Sequence, residues 1–238
     1  MPADIDALDI VEAFGQPWSS ETPGKMHGCG HDGHTATLLT AARYLQKTRD
    51  FDGAVRLVFQ PAEEGGRDAC TMLQEGLLDR FSFDEIYGYH NWPGFPRGLF
   101  AIRPGPILAA ADVFEIRLTG KGSHGAMPHL CSDVIPAAAQ IVMALQSLVA
   151  RETEATDSAV ISVTNVAAGS GAFNVITGSA LISGTVRTFK QSTRDTIRAR
   201  MKAIVDGIAV ASEIGAEFKY DVVTEVVLNN PQATEWCL

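Results

Sequence analysis

Residues 112–119 read Asp-Val-Phe-Glu-Ile-Arg-Leu-Thr, and this alternation of apolar and polar side chains predicts a strand with one wet face. The next apolar stretch has a different period. Residues 133–150 (DVIPAAAQIVMALQSLVA) predict a helix, with Asp133 as its cap and Pro136 confined to the first turn. Strand patterns follow at 158–167 (SAVISVTNVA) and 180–189 (ALISGTVRTF). A long amphipathic helix is predicted over 193–213, ended by Gly215, and a last strand over 217–228 (EFKYDVVTEVVL). The order strand, helix, strand, strand, helix, strand is the split βαβ, ferredoxin-like arrangement. Turn chemistry in RPGPILAA sets a domain boundary near 104–111.

Upstream of that boundary, strand-like and helix-like segments alternate. Asp4 to Ile10 begins in an extended pattern. Residues 34–47 (HTATLLTAARYLQK) place Leu38, Ala41, Ala42 and Leu45 on one helical face. Residues 54–60 (AVRLVFQ) predict a buried strand, 67–78 a short helix leading to Gly76, and 85–90 (EIYGYH) another strand. Such alternation predicts an α/β layer with parallel pairing.

The chain of 238 residues suffices for one large domain or two modest ones, and 46% hydrophobic with 20% charged residues is an ordinary globular balance. A net charge of −9 argues against a nucleic-acid backbone or an anionic membrane as the main partner. No charge-free apolar run of spanning length is evident, and Met-Pro-Ala-Asp-Ile-Asp does not read as a secretory signal. Cys29, Cys70, Cys131 and Cys237 are widely spaced without a Cys-x-x-Cys pair, so reduced thiols in the cytoplasm are expected.

Six segments could carry chemistry. Residues 26–34, Met-His-Gly-Cys-Gly-His-Asp-Gly-His, gather three histidines, a cysteine and an aspartate among glycines that let the backbone fold tightly. Cys29 and His31 would project to one side of an extended segment, and thiolate with imidazole suits zinc, cobalt, nickel or manganese. Residues 60–66, Gln-Pro-Ala-Glu-Glu-Gly-Gly, set two adjacent carboxylates at the C-terminal end of a strand, where α/β sheets place their ligands. One carboxylate can hold metal while its neighbour accepts a proton. His90, in Tyr-Gly-Tyr-His-Asn-Trp-Pro-Gly, is expected to close another strand as a further ligand. His124 lies in the Gly-rich run Gly-Lys-Gly-Ser-His-Gly and could polarise a carbonyl or stabilise an oxyanion. Asn174 stands in Ala-Phe-Asn-Val-Ile. Arg187, within a strand, suits bidentate binding of a substrate carboxylate.

Together MHGCGHDGHTA, FQPAEEGG, YGYHNWPG, GSHGAMPH, AFNVI and GTVRTF closely resemble the metal-dependent aminoacylase/carboxypeptidase amidohydrolases. The nearest branch includes hippurate hydrolases, N-acyl-amino-acid amidohydrolases, N-acetyl-diaminopimelate deacetylases and plant auxin-conjugate hydrolases. The resemblance implies a zinc-peptidase-like α/β catalytic domain, present in part, with an inserted ferredoxin-like lid that dimerises. It implies two divalent ions (Mn, Zn, Co or Ni) per intact site, held by Cys29, His31, Glu64 and His90. Glu63 is implied as general base, His124 as the lid histidine, and Asn174 and Arg187 as substrate contacts. The implied reaction is hydrolysis of the amide bond of small N-acyl amino acids, in a homodimer or larger homo-oligomer.

The pattern is departed from at Pro2, Ser123 and Thr177, and in the histidines. All six lie at or before His129, whereas the resemblance calls for a fifth metal ligand, a histidine near the C-terminus. The expectation is therefore a truncated product: a partial catalytic domain at 1–108, a lid at 109–228, and a return at 229–238. Reduced activity follows, with unpaired strand edges and exposed apolar surface in the first part. A catalytically silent metal-binding or dimerising remnant is the alternative. A cysteine-nucleophile hydrolase using Cys29 is disfavoured by the paired carboxylates.

Overall fold

The computed structural model describes residues 1–65 and 68–238. Gly66, which closes the 60–66 motif, and Arg67, the first residue of the expected 67–78 helix, lie outside the described residues. The chain divides into two compact units, Met1–Leu99 and Phe100–Leu238.

In the first unit a short strand β1 (Pro2–Asp4) pairs in parallel with β2 (Val58–Gln60), setting Asp4 opposite Gln60. Helix α1 (His31–Thr48) packs on β1. It buries His31, His34 and Leu38, while Ala41, Ala42 and Leu45 stay half-buried. A 3-10 turn covers Glu63–Gly65, followed by α2 (Asp68–Gln74) and α3 (Leu77–Arg80), separated by Gly76 at φ 87°.

Two expected strands differ. Of 54–60, only the last three residues pair, because β1 offers three residues to pair with. Residues 85–90 form no strand, since no neighbouring backbone is registered against them among the described residues. Gly28 and Gly30 are used as expected of a tight turn, but Cys29 and His31 are not joined by extended chain. Gly30 is left-handed at φ 84° and caps α1, so His31 already belongs to the helix.

The second unit holds β3 (Gly105–Leu108), β4 (Ala110–Thr119), β5 (Ser123–His124), α4 (Val134–Glu152), β6 (Ala159–Ala168), β7 (Val175–Ile176), β8 (Ser179–Thr188), α5 (Gln191–Ala211), β9 (Gly215–Thr224), β10 (Val227–Asn229) and α6 (Pro231–Trp236). The antiparallel sheet runs β6-β8-β4-β9, the ferredoxin-like order anticipated from the periodicity. Asp133 caps α4 by accepting from the Ile135 amide at 2.9 Å.

Both long helices lie on one face of the sheet. Ile141, Leu145 and Leu148 of α4 and Ile197, Met201 and Val205 of α5 meet Phe114, Ile116, Leu118, Ile182 and Val186. Each such fully buried side chain contributes about 1.5–3 kcal/mol of transfer free energy. α4 has the length and apolar character of a membrane span, contrary to the reading of the sequence, with mean hydropathy 1.5. Its apolar stripe is instead spent on this core.

Two details differ from the periodicity. α5 ends at Ala211, and the left-handed residue beyond it is Glu213 (φ 53°) rather than Gly215, which starts β9. The final strand is broken into β9 and β10, the latter pairing antiparallel with β3. Finally, Gly184 on β8 sits so close to its neighbours that an added Cβ would lie 2.1 Å from the Ser162 carbonyl oxygen and 2.7 Å from Phe114 Cζ.

Candidate metal and catalytic site

Because β1 and β2 are parallel, the segments that follow them emerge on the same side. Asp6 follows β1, and Glu63 and Glu64 follow β2; the two segments are tied by the Glu64 amide donating to Asp6 Oδ2 at 3.0 Å. The N-terminus of α1 brings His31 to this edge. Its Nδ1 lies 3.0 Å from the Asp6 carbonyl oxygen, which can only accept, so Nδ1 carries the proton. That leaves Nε2 with a lone pair. Nε2 is buried, has no hydrogen-bond partner among the described residues, and faces carboxylate oxygens of Glu63 at 3.9 Å and of Asp4 and Glu64 at 4.0 Å.

Among the described residues, no lysine or arginine is paired with these three carboxylates. Two donors each about 2.0–2.2 Å from one ion can lie up to roughly 4 Å apart, so these separations admit a shared cation. His90 repeats the device. Its Nδ1 donates to the Asn91 carbonyl oxygen at 2.6 Å, and its Nε2 lies 3.4 Å from Cys29 Sγ. In both rings a backbone carbonyl fixes the tautomer that turns Nε2 to the cluster, the usual support of a metal-binding imidazole. The donor sets Cys29/His31/His90 and His31/Glu63/Glu64 each lie within 4.8 Å, with His31 common to both. The residues present therefore fit a divalent cation.

Electrostatics agree. Burial, then the charges of Glu64 and Glu63, push the Cys29 thiol up to about 11, so without a cation it stays protonated. Burial, then Asp4 and Glu64, also holds Glu63 above the usual carboxylate range, which favours a proton acceptor over a permanently charged group.

The sequence reading missed part of this neighbourhood. Asp4 joins His31 and His34 in a third close set. His34 Nδ1 is buried without a hydrogen-bond partner among the described residues, 3.7 Å from Asp4 Oδ2, and the Asn91 amide donates to its Nε2 at 3.1 Å. Burial is the main force holding His34 below the usual imidazole range. Asn91 also presses on Gly30, where any Cβ would meet its side chain at 2.5 Å. The Asp-Ile-Asp alternation closing the first extended segment was the available signal for Asp4 and Asp6.

The second unit brings His124 and Asn174 together, on the β5–β7 ribbon. The Gly125 amide donates to the Asn174 carbonyl oxygen at 2.8 Å. The Ala126 amide donates to His124 Nδ1 at 3.2 Å, leaving the exposed Nε2 as the N–H donor of the neutral ring. Arg187 stands on β8, exposed on the sheet face opposite the helices.

The sequence pattern described as "Peptidase family M20/M25/M40" matches residues 1–236. Hippurate hydrolase of Campylobacter jejuni is 39% identical, covering 98% of this chain and 61% of that protein. N-acyl-L-amino acid amidohydrolase of Geobacillus stearothermophilus is 44% identical, covering 95% and 61%. Among solved structures, the YXEP protein of Bacillus subtilis, a dinuclear metal-binding peptidase of the M20 family, superposes with TM-score 0.77 at 37% identity. That superposition covers 98% of this chain and 59% of the other. The chain spans about three fifths of the length of these curated relatives.

Proposed function

This chain belongs to peptidase family M20/M25/M40, and we propose that it serves the metal-dependent hydrolysis of the amide bond of small N-acyl amino acids such as N-acetyl or N-benzoyl conjugates. The relatives are named for such hydrolases and deacetylases. The observation that carries the proposal is the buried His31 Nε2, without a hydrogen-bond partner among the described residues, facing Asp4, Glu63 and Glu64 beside the His90–Cys29 pair.

In this reading Cys29, His31, Glu64 and His90 hold divalent metal, two ions per intact site, of Mn, Zn, Co or Ni type. Bound there, such ions supply Lewis acidity and lower the pKa of water. Glu63 takes a proton from the attacking water and delivers it to the leaving amine nitrogen. His124, with Nε2–H outward, donates to the oxygen that becomes negative as the carbonyl carbon turns tetrahedral. Asn174 and Arg187 hold the substrate, Arg187 by its carboxylate. The products are a free amino acid and a carboxylic acid.

The second unit acts as a lid and self-association domain, making a homodimer or larger assembly; β6, at the sheet's edge, offers unpaired backbone for it. A cytoplasmic setting fits four unpaired cysteines. A second reading is metal binding or dimerisation without turnover.

Metal content and hydrolysis of N-acetyl and N-benzoyl amino acids, before and after chelation, test the proposal. Metal-dependent turnover abolished by Glu63→Gln is expected. Undiminished turnover in the chelated protein would sink it, and stoichiometric metal binding without turnover would select the second reading.

A further inference from the structure

Arg187 is held at one corner only. Its Nη1 donates to Thr185 Oγ1 and to the Val186 carbonyl oxygen, the latter at 3.1 Å. Among the described residues its Nε and Nη2 make no hydrogen bond, and Arg187 has no carboxylate partner. Nε–H and one Nη2–H point the same way and form one of the two-pronged edges by which guanidinium grips a carboxylate. The other such edge, between Nη1 and Nη2, is engaged through Nη1.

Thr185 is itself directed. Its hydroxyl donates to the Asp112 carbonyl oxygen at 3.0 Å, so its lone pairs are left to accept from Arg187. The acceptor end is fixed in turn. The Asp112 side chain is fully buried, accepts from Tyr220 at 2.7 Å, and lies 3.0 Å from Arg194 Nε. The β4–β9 register also shifts between Ala111 and Asp112. Directly across from Arg187 stand Ala111 on β4 and Val160 on β6, neither of which can compete for the guanidinium.

We propose that Thr185 is a positioning residue: by holding Nη1 it presents the Nε/Nη2 edge of Arg187 as the fork for the substrate's carboxylate. The proposal rests on the reading above that Arg187 binds that carboxylate. Without the hydroxyl, Arg187 retains its charge but loses the anchor that selects this edge, and a long exposed side chain returns to many rotamers.

The test uses the full 238-residue chain, 15N-labelled, with Thr185→Val, Thr185→Ser and Arg187→Ala variants. In the ligand-free protein, relaxation of the Arg187 Nε–Hε resonance is expected to show marked loss of order in Thr185→Val and retention in Thr185→Ser. Titrations with N-benzoylglycine and its primary amide then give an acid-over-amide preference. That preference should fall about tenfold in Thr185→Val, the effect of one charge-assisted hydrogen bond, and return in Thr185→Ser. Unchanged Arg187 order in Thr185→Val would overturn the positioning role, whatever the ligand data. Acid preference that survives Arg187→Ala, or is absent from the unaltered chain, would instead remove the carboxylate reading of Arg187.

Discussion

Two backbone carbonyls decide what His31 and His90 can do. Each takes the Nδ1 proton, so each ring turns an unprotonated nitrogen toward acids or a thiol. Asp6 supports the cluster from behind: its carbonyl orients His31, and its carboxylate anchors the Glu64 amide. Asp6→Ala should keep the fold and weaken divalent-metal affinity about 10–100-fold, measurable by calorimetric titration with Mn2+ or Zn2+. The clustered residue types themselves were legible from composition and spacing, because Cys29, His31, Glu63, Glu64 and His90 are concentrated between glycines or at segment ends. Asp4 and Asp6 were not, because their part depends on a parallel pairing of residues more than fifty positions apart, nor was Asn91, which meets His34 across a similar span. Nothing in the local sequence at Pro2–Asp6 reveals that partner.

At the level of elements, legibility followed the number of partners a segment has. β4 and β8 lie inside the sheet, are paired on both sides, and keep clean alternation, so periodicity located them within a few residues. β2 pairs on one side over three residues, and the apolar run around it overstated its length. The N-terminal turn of α5 shows a dependence that no periodicity carries. Arg194, 4% exposed, joins Asp112 of β4, the Thr224 carbonyl oxygen at the end of β9, and Glu225. Removing one member leaves a buried charge unmatched. Arg194→Ala should therefore cost about 3–5 kcal/mol in denaturant unfolding, and adding Asp112→Ala should cost less than the sum of the two single changes. On β8, Gly184→Ala must move backbone or Phe114, and a loss of about 1–3 kcal/mol is expected in the same assay.

The two units differ in what holds them together. The second has a continuous apolar core. Among the described residues of the first, the buried side chains are Ala3, Leu38, His31 and His34, while Phe14, Trp18, Tyr44 and Trp92 are exposed. Where half of the described core is imidazole, metal bound at those rings would couple to folding. Saturating metal at about 100 times its dissociation constant should stabilise the first unit by about 2.7 kcal/mol, seen as slowed hydrogen exchange in α1 but not in α4 or α5. Acid should act on the second unit. Asp157 lies below its ordinary 3.8, chiefly through the Thr193 hydroxyl, and Glu152 below 4.5, chiefly through Arg200. Groups depressed in the folded state stabilise it above their unfolded values, and that contribution is lost as pH falls through the folded ones. The thermal midpoint of the second unit should thus hold down to about pH 4.5 and then decline, less steeply in Asp157→Asn.

The strand order β6-β8-β4-β9 also sets a timetable for synthesis. β4 is the earliest of the four strands to be made, yet its partners β8 and β9 are made roughly 60 and 100 residues later. At ribosomal rates of about 5–20 residues per second, β4 waits several seconds for one neighbour and longer for the other. During that interval Phe114, Ile116 and Leu118 have neither sheet nor second helix to cover them. The nascent chain thus carries an apolar, strand-forming stretch that stays uncovered until β8 and α5 have been made.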